Sequence, residues 1–191
     1  MTAEETKLLS ILKARSFQKG KFILASGVMS DYYLDLREAT MNPDVASLIG
    51  RILGHRLWIK PFDAVGGMAT GAIPLVMAAV LQFDQWERTA EGFFVRETEK
   101  DHGDRKLIAG RIVSGDWVAI VEDVITTGAS TVKAIRAVQD IGCKVIAVIA
   151  MVDRLQGGEE AVRAAGVSDY QAVFTINDFL DQLPVGERND A

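Results

Sequence analysis

One cysteine and two histidines in 191 residues leave little material for covalent or metal scaffolding. Cys143 has no second thiol with which to close an internal disulfide, and its place at the entry of an apolar strand predicts a small core residue. No cluster of Cys and His has metal-ligand spacing, so a metal held by the protein alone is not expected. No stretch reaches the roughly 18 uninterrupted apolar residues of a membrane span. The opening Met1-Thr-Ala-Glu-Glu-Thr-Lys7 lacks a basic region followed by an apolar one, so no signal peptide is expected. Basic excess is missing too. Twenty-one Lys and Arg face 26 Asp and Glu, a net charge of −5 with pI near 5.1, which argues against a nucleic-acid or membrane-surface partner. These absences together fit a cytoplasmic metabolic protein.

What is present is alternation. Leu8, Leu9, Ile11 and Leu12 give an amphipathic helix over 3–15, followed by extended segments at 17–24 and 31–37. Asn42-Pro43 reads as an N-cap with proline at the first helical position, opening a helix to about Trp58. Short strands are predicted near 63–66, 92–96, 117–121, 144–152 and 171–174, with helices at 72–82, 130–141, 157–165 and 176–182. Strands alternating with helices of this length predict an α/β fold, a parallel sheet flanked by helices. The two extended segments, within about residues 1–40, form a small N-terminal hood. The length suits a single domain over 1–191, ending in a polar tail at 184–191. Ligands of such sheets bind at the carboxyl ends of the strands, here after Val65, Val95, Val121 and Val152.

The most specific stretch is Val118-Ala-Ile-Val-Glu-Asp-Val-Ile-Thr-Thr-Gly-Ala-Ser-Thr131. An apolar strand stops at two acids, Glu122 and Asp123, and a small hydroxyl-rich turn leads into a helix carrying Val132, Ile135 and Val138. A strand–turn–helix aims free amides and a helix N-terminus at one point, which suits a phosphate. The vicinal acids can accept hydrogen bonds from a diol. A ribose 5-phosphate with two free hydroxyls fits both halves, although two surface acids before a capped helix would look the same. Gly66-Gly67-Met68-Ala69-Thr70-Gly71 lets backbone amides approach a ligand, or simply packs a tight turn. Glu97 to Lys106 contains no aliphatic residue and reads as a surface loop, either a solvated charge run or a lid. Asp153-Arg154 ends an apolar strand; its guanidinium either pairs with Asp153 or a neighbour, or recognises a planar carboxylate.

The Val118–Thr131 stretch resembles the motif with which type I phosphoribosyltransferases bind 5-phospho-α-D-ribosyl 1-diphosphate (PRPP). Four further segments are similar to the orotate phosphoribosyltransferases in the same order: Phe22-Ile-Leu-Ala-Ser-Gly27 with Ser30-Asp-Tyr-Tyr-Leu-Asp35, Val65 to Pro74, Phe93-Phe-Val-Arg-Glu-Thr-Glu-Lys-Asp-His-Gly103, and Val152-Asp-Arg-Leu-Gln-Gly-Gly158. The resemblance covers about residues 17 to 160. It implies transfer of the phosphoribosyl group of PRPP to orotate, giving orotidine 5′-phosphate and pyrophosphate in pyrimidine biosynthesis.

The same resemblance implies PRPP contacts from Arg96, Glu97, Lys100, His102, Glu122, Asp123, Val124, Ile125, Thr126, Thr127, Gly128, Ala129 and Ser130. Lys100, His102 and Asp123 would be catalytic, with Lys100 and His102 reaching across a homodimer into the neighbour's site. Thr126 and Arg154 would fix orotate, and Tyr32, Tyr33 and Leu34 would cover its ring, unless they are ordinary strand packing. Mg²⁺ would arrive carried by PRPP rather than by protein ligands. Two departures stand out. A lysine that some relatives carry in the glycine loop is Gly71 here, and the lysine usual after the lid arginine is Glu97, which reverses the charge facing pyrophosphate. A transferase for another base, or a weakly active PRPP-binding regulator, are the alternative readings.

Overall fold

The computed structural model describes residues 1–23, 29–98 and 107–180. Helix α1 (Ala3–Ser16) is started by a capping box: the Glu5 amide donates to Thr2 Oγ1 at 3.1 Å and the Thr2 amide to Glu5 Oε2 at 2.8 Å. Strands β1 (Phe17–Ile23) and β2 (Met29–Leu34) pair antiparallel as a separate two-stranded sheet. The second extended segment, read as 31–37, therefore stops at Leu34. A four-residue helix α2 (Arg37–Thr40), too short to leave a periodic signal, follows it. Helix α3 (Pro43–Leu57) opens as expected, with Asn42 Oδ1 accepting from the amides of Asp44 and Val45.

The main sheet is assembled from β3 (Ala64–Met68), β4 (Glu91–Val95), β5 (Ile108–Gly110), β6 (Trp117–Ile125), β7 (Lys144–Asp153) and β8 (Tyr170–Thr175). Its order is β5-β4-β3-β6-β7-β8, parallel throughout except for β5, which runs antiparallel along the edge of β4. That edge strand was not expected; three residues beside a polar stretch carry no readable period. Helices α4 (Ala72–Gln85), α5 (Ala129–Asp140), α6 (Gly158–Ala164) and α7 (Ile176–Leu180) complete the fold.

Alternating strand side chains feed two cores. Val65, Ala119, Val121, Ile149 and Met151 face Leu8, Leu12, Leu53, Leu75 and Phe83 of α1, α3 and α4. Ala64, Val118, Ile120, Val148 and Ala150 face Ile135, Val138 and Val162 of α5 and α6. A central strand that is buried on both faces must be apolar throughout, which is why β6 and β7 read as continuous apolar runs. Cys143 is buried and its thiol donates to the Val113 carbonyl. Among the described residues no helix is long and apolar enough to cross a membrane.

Candidate active site

Strand order reverses between β3 and β6, and a crevice opens there at the carboxyl ends of both strands, the place where parallel sheets bind ligands. It is a cavity of about 320 Å³. Its wall combines Tyr33 to Asp35 and Arg37 of the hood, Met68 to Gly71 after β3, Glu97 after β4, and Glu122 to Val124 with Ser130. The size lies in the range of small-molecule sites.

The two acids are not on a solvent-facing turn, as the sequence suggested. They lie inside β6, which keeps its register with β7 through Glu122↔Ala150, Val124↔Val152 and Ile125↔Asp153. Glu122 is only 4% exposed; the Thr131 hydroxyl donates to its Oε2 at 2.7 Å and the Ser130 hydroxyl at 3.4 Å. Burial, with the neighbouring Asp123 charge adding to it, pushes the Glu122 carboxyl up from its ordinary range. Asp123 is also raised, chiefly by burial, but the Val124 amide donates to it at 2.8 Å, and the hydrogen bond between the two carboxyls lowers it while raising Glu122. The pair therefore favours the charge on Asp123 over Glu122, and both carboxyls line the cleft.

Gly71 makes room for that carboxylate. A Cβ at position 71 would lie 2.4 Å from Asp123 Oδ2, so any side chain there must displace the acid. The absence of a side chain at position 71 is thus matched to the position of Asp123. Gly71→Ala is expected to leave the thermal midpoint nearly unchanged, because only the end of one side chain must move. Turnover should fall on the order of tenfold, the effect of about 1.4 kcal/mol of misplacement. Steady-state rates set beside a thermal melt check both halves.

After β6 the chain turns through Thr126 and Thr127 into α5, whose N-cap is Gly128 at φ +79°, a left-handed conformation natural to glycine. Among the described residues no side chain caps this helix, so its first amides suit an anion. Thr127, Ala129 and Ser130 are exposed and Thr126 is half-buried. The Ile125 side chain, by contrast, is 1% exposed in the core. Only its backbone faces the site's edge, and its carbonyl accepts from the Arg154 amide at 2.9 Å.

Arg154 does not pair with Asp153. The Asp153 carboxylate accepts from the Tyr170 hydroxyl at 2.6 Å and the Leu155 amide at 2.7 Å, and burial together with that acid raises the Tyr170 phenol. The Arg154 guanidinium reaches the hood instead: its Nε donates to the Tyr32 hydroxyl at 3.1 Å, and its Cζ lies 4.8 Å from the Tyr32 ring centre. An aromatic ring and an arginine thus meet beside the cleft, although Arg154 and Thr126 do not line the cavity itself. Arg96 lies just beyond β4 with its guanidinium carbon 5.2 Å from the Phe94 ring centre, and its amide donates to the Leu107 carbonyl. Glu97 lines the cavity and its carbonyl accepts from the Lys133 ammonium. Lys100 and His102 lie outside the described residues. Asp35 and Arg37, which do line the cavity, were given no role from sequence; the only available signal was an Asp-x-Arg at the end of the hood.

Comparison with known proteins agrees with this geometry. A family model described as a phosphoribosyl transferase domain matches residues 9–182. The orotate phosphoribosyltransferase of Sorangium cellulosum (strain So ce56) is 40% identical over 187 residues, covering 96% of this chain and 97% of that protein. That of Rhodopirellula baltica is 40% identical over 179 residues, covering 90% and 92%. Among solved structures, Mycobacterium tuberculosis H37Rv orotate phosphoribosyltransferase in complex with PRPP superposes with a TM-score of 0.77 at 34% identity, covering 92% of this chain and 98% of that one.

Proposed function

We propose, from the premise that this chain belongs to the orotate phosphoribosyltransferase family, that its cleft transfers the 5-phosphoribosyl group of PRPP to orotate, releasing pyrophosphate and forming orotidine 5′-phosphate. One arrangement carries the reading: a pair of acids and the start of a helix with no side-chain cap meet at one crevice at the sheet's switch point, with an arginine against an aromatic ring beside it.

Each part then has a task. Asp123 accepts hydrogen bonds from the ribose hydroxyls, while Glu122, held by the Ser130 and Thr131 hydroxyls, braces the end of β6. The amides and hydroxyls of Thr126, Thr127, Gly128, Ala129 and Ser130 grip the 5′-phosphate, with the Val124 and Ile125 backbone setting the strand end. The Arg154 guanidinium forms a bidentate pair with the orotate carboxylate, Thr126 holds the ring edge, and Tyr32 covers it. Displacement of pyrophosphate at C1 passes through an oxocarbenium-like state, as glycosyl transfer does. No covalent nucleophile is required. Negative charge builds on the leaving group and water must be excluded, tasks that suit Arg96 together with Lys100 and His102 of a homodimer partner. All of 1–191 serves as one such domain, located in the cytoplasm.

Mg²⁺ fits the donor chemistry of this site. Asp123 and the oxygens of PRPP are hard ligands, and the ion would neutralise diphosphate charge while held mainly by the substrate. The enzyme mixed with PRPP, orotate and Mg²⁺ should consume orotate and form orotidine 5′-phosphate, with the rate collapsing on chelation and returning with added Mg²⁺. Undiminished turnover in excess chelator would rule out the ion's part, and no product under any condition would rule out the transfer.

A further inference from the structure

Charge around the cavity is unbalanced for an anionic substrate. Its described walls carry Asp35, Glu97, Glu122 and Asp123 but a single basic side chain, Arg37. The positions where relatives can place lysines toward PRPP hold Gly71 and Glu97, and PRPP brings about five negative charges when fully ionised. Arg37 is built into the hood with some care. Its Nε donates to Asp35 Oδ1 at 2.9 Å and Oδ2 at 3.1 Å, its Nη2 donates to Oδ2 at 2.6 Å, and its own amide donates to Oδ1 at 2.9 Å. Nη1 donates to none of the described residues, and the side chain is 59% exposed and lines the cavity.

A guanidinium held along one edge by a carboxylate presents its other edge in a fixed direction, suited to anionic oxygens. Asp35 is in turn held down to about 2, the Arg37 hydrogen bonds being the main cause, so the carboxylate stays charged near neutral pH. Arg37 and Asp123, the acid assigned to the ribose, line the same cavity. Arg37 shares the cavity wall with Thr70 and Gly71, the turn suited to cradling a diphosphate, while the 5′-phosphate site lies at the start of α5.

We propose that Arg37, oriented by Asp35, binds the diphosphate arm of PRPP and supplies the fixed cation that Gly71 and Glu97 do not. The assignment rests on the PRPP reading above. It makes the hood a charge-bearing wall of the site as well as a cover for the base, and it offsets Glu97 within the same crevice.

Calorimetric titration of the full chain with PRPP, inorganic pyrophosphate and ribose 5-phosphate, each with Mg²⁺, separates the contributions. Arg37→Gln should weaken PRPP and pyrophosphate about tenfold or more, the usual scale for losing a charge-assisted hydrogen bond. Ribose 5-phosphate, lacking the diphosphate, should change by no more than about twofold. Arg37→Lys, which keeps the charge without the fork, should fall between the wild type and Arg37→Gln for pyrophosphate, and it carries the test if the glutamine variant does not fold. Unchanged pyrophosphate binding in both variants, or an equal loss for ribose 5-phosphate, overturns the proposal. A wild-type chain that binds neither PRPP nor pyrophosphate overturns the underlying reading along with it.

Discussion

Replacing Arg154 with alanine is expected to weaken orotate by about 30-fold or more while PRPP binding changes little, since losing one partner of a desolvated charge pair costs about 2–5 kcal/mol. The geometry makes the loss selective. The Arg154 backbone is pinned to β6 through the Ile125 carbonyl, and its side chain turns toward Tyr32 of the hood, whereas the phosphate is placed at the start of α5. Its adjacent acid does not neutralise it, because Asp153 is occupied by Tyr170 and the Leu155 amide. Arg154→Lys should rescue poorly, since a point ammonium does not reproduce a planar fork on a planar carboxylate. Steady-state titration of each substrate at saturating levels of the other gives the comparison. Equal losses for orotate and PRPP would remove Arg154 from the base site.

Asp123→Asn should lower kcat/KM for PRPP on the order of 10–100-fold, the effect of losing about 1.5–3 kcal/mol from a hydrogen bond to a charged acceptor. Stability should move the other way. Asp123 has a raised pKa in the fold, so its favourable contribution is complete below the unfolded value of 3.8 and is lost as pH rises through the folded value. At neutral pH the acid must ionise in a buried place beside Glu122, and a neutral amide avoids that cost while still accepting from the Val124 amide. The variant should therefore melt at the same temperature as the wild type or higher near pH 7, with the difference narrowing as pH falls toward 4. Wild-type kinetics from a well-folded Asp123→Asn protein would place the ribose site elsewhere.

How much could be read in advance depended on how local each signal was. The strand–turn–helix at Val118–Thr131 was legible because apolar strand, acids, small turn and amphipathic helix follow one another in the chain. The parallel sheet was legible because β3, β4, β6 and β7 are apolar runs, with a helix between β3 and β4 and another between β6 and β7. The end of β6 was misread, since two adjacent acids look like the edge of a buried strand; only pairing with β7 carries the ladder on to Ile125. The short elements β5 and α2 have too few residues to show a period. The hood's part in the site was least visible. Tyr32 meets Arg154 across 122 positions of sequence, and Arg37 joins Asp123 at the cavity only after the N-terminal strands fold back over the sheet. No local pattern encodes either contact. Gly71 is similar: its reason is the Asp123 carboxylate on another strand.

The most direct test of the orotate assignment is pyrophosphate release from PRPP with orotate, uracil and hypoxanthine offered in parallel at equal concentration. A site built around Arg154 for a carboxylate should favour orotate on the order of 10³-fold or more in kcat/KM, because an uncharged base leaves the guanidinium unpaired. Comparable rates with uracil or hypoxanthine, or release that is independent of any base, would contradict the assignment of this cleft to orotate.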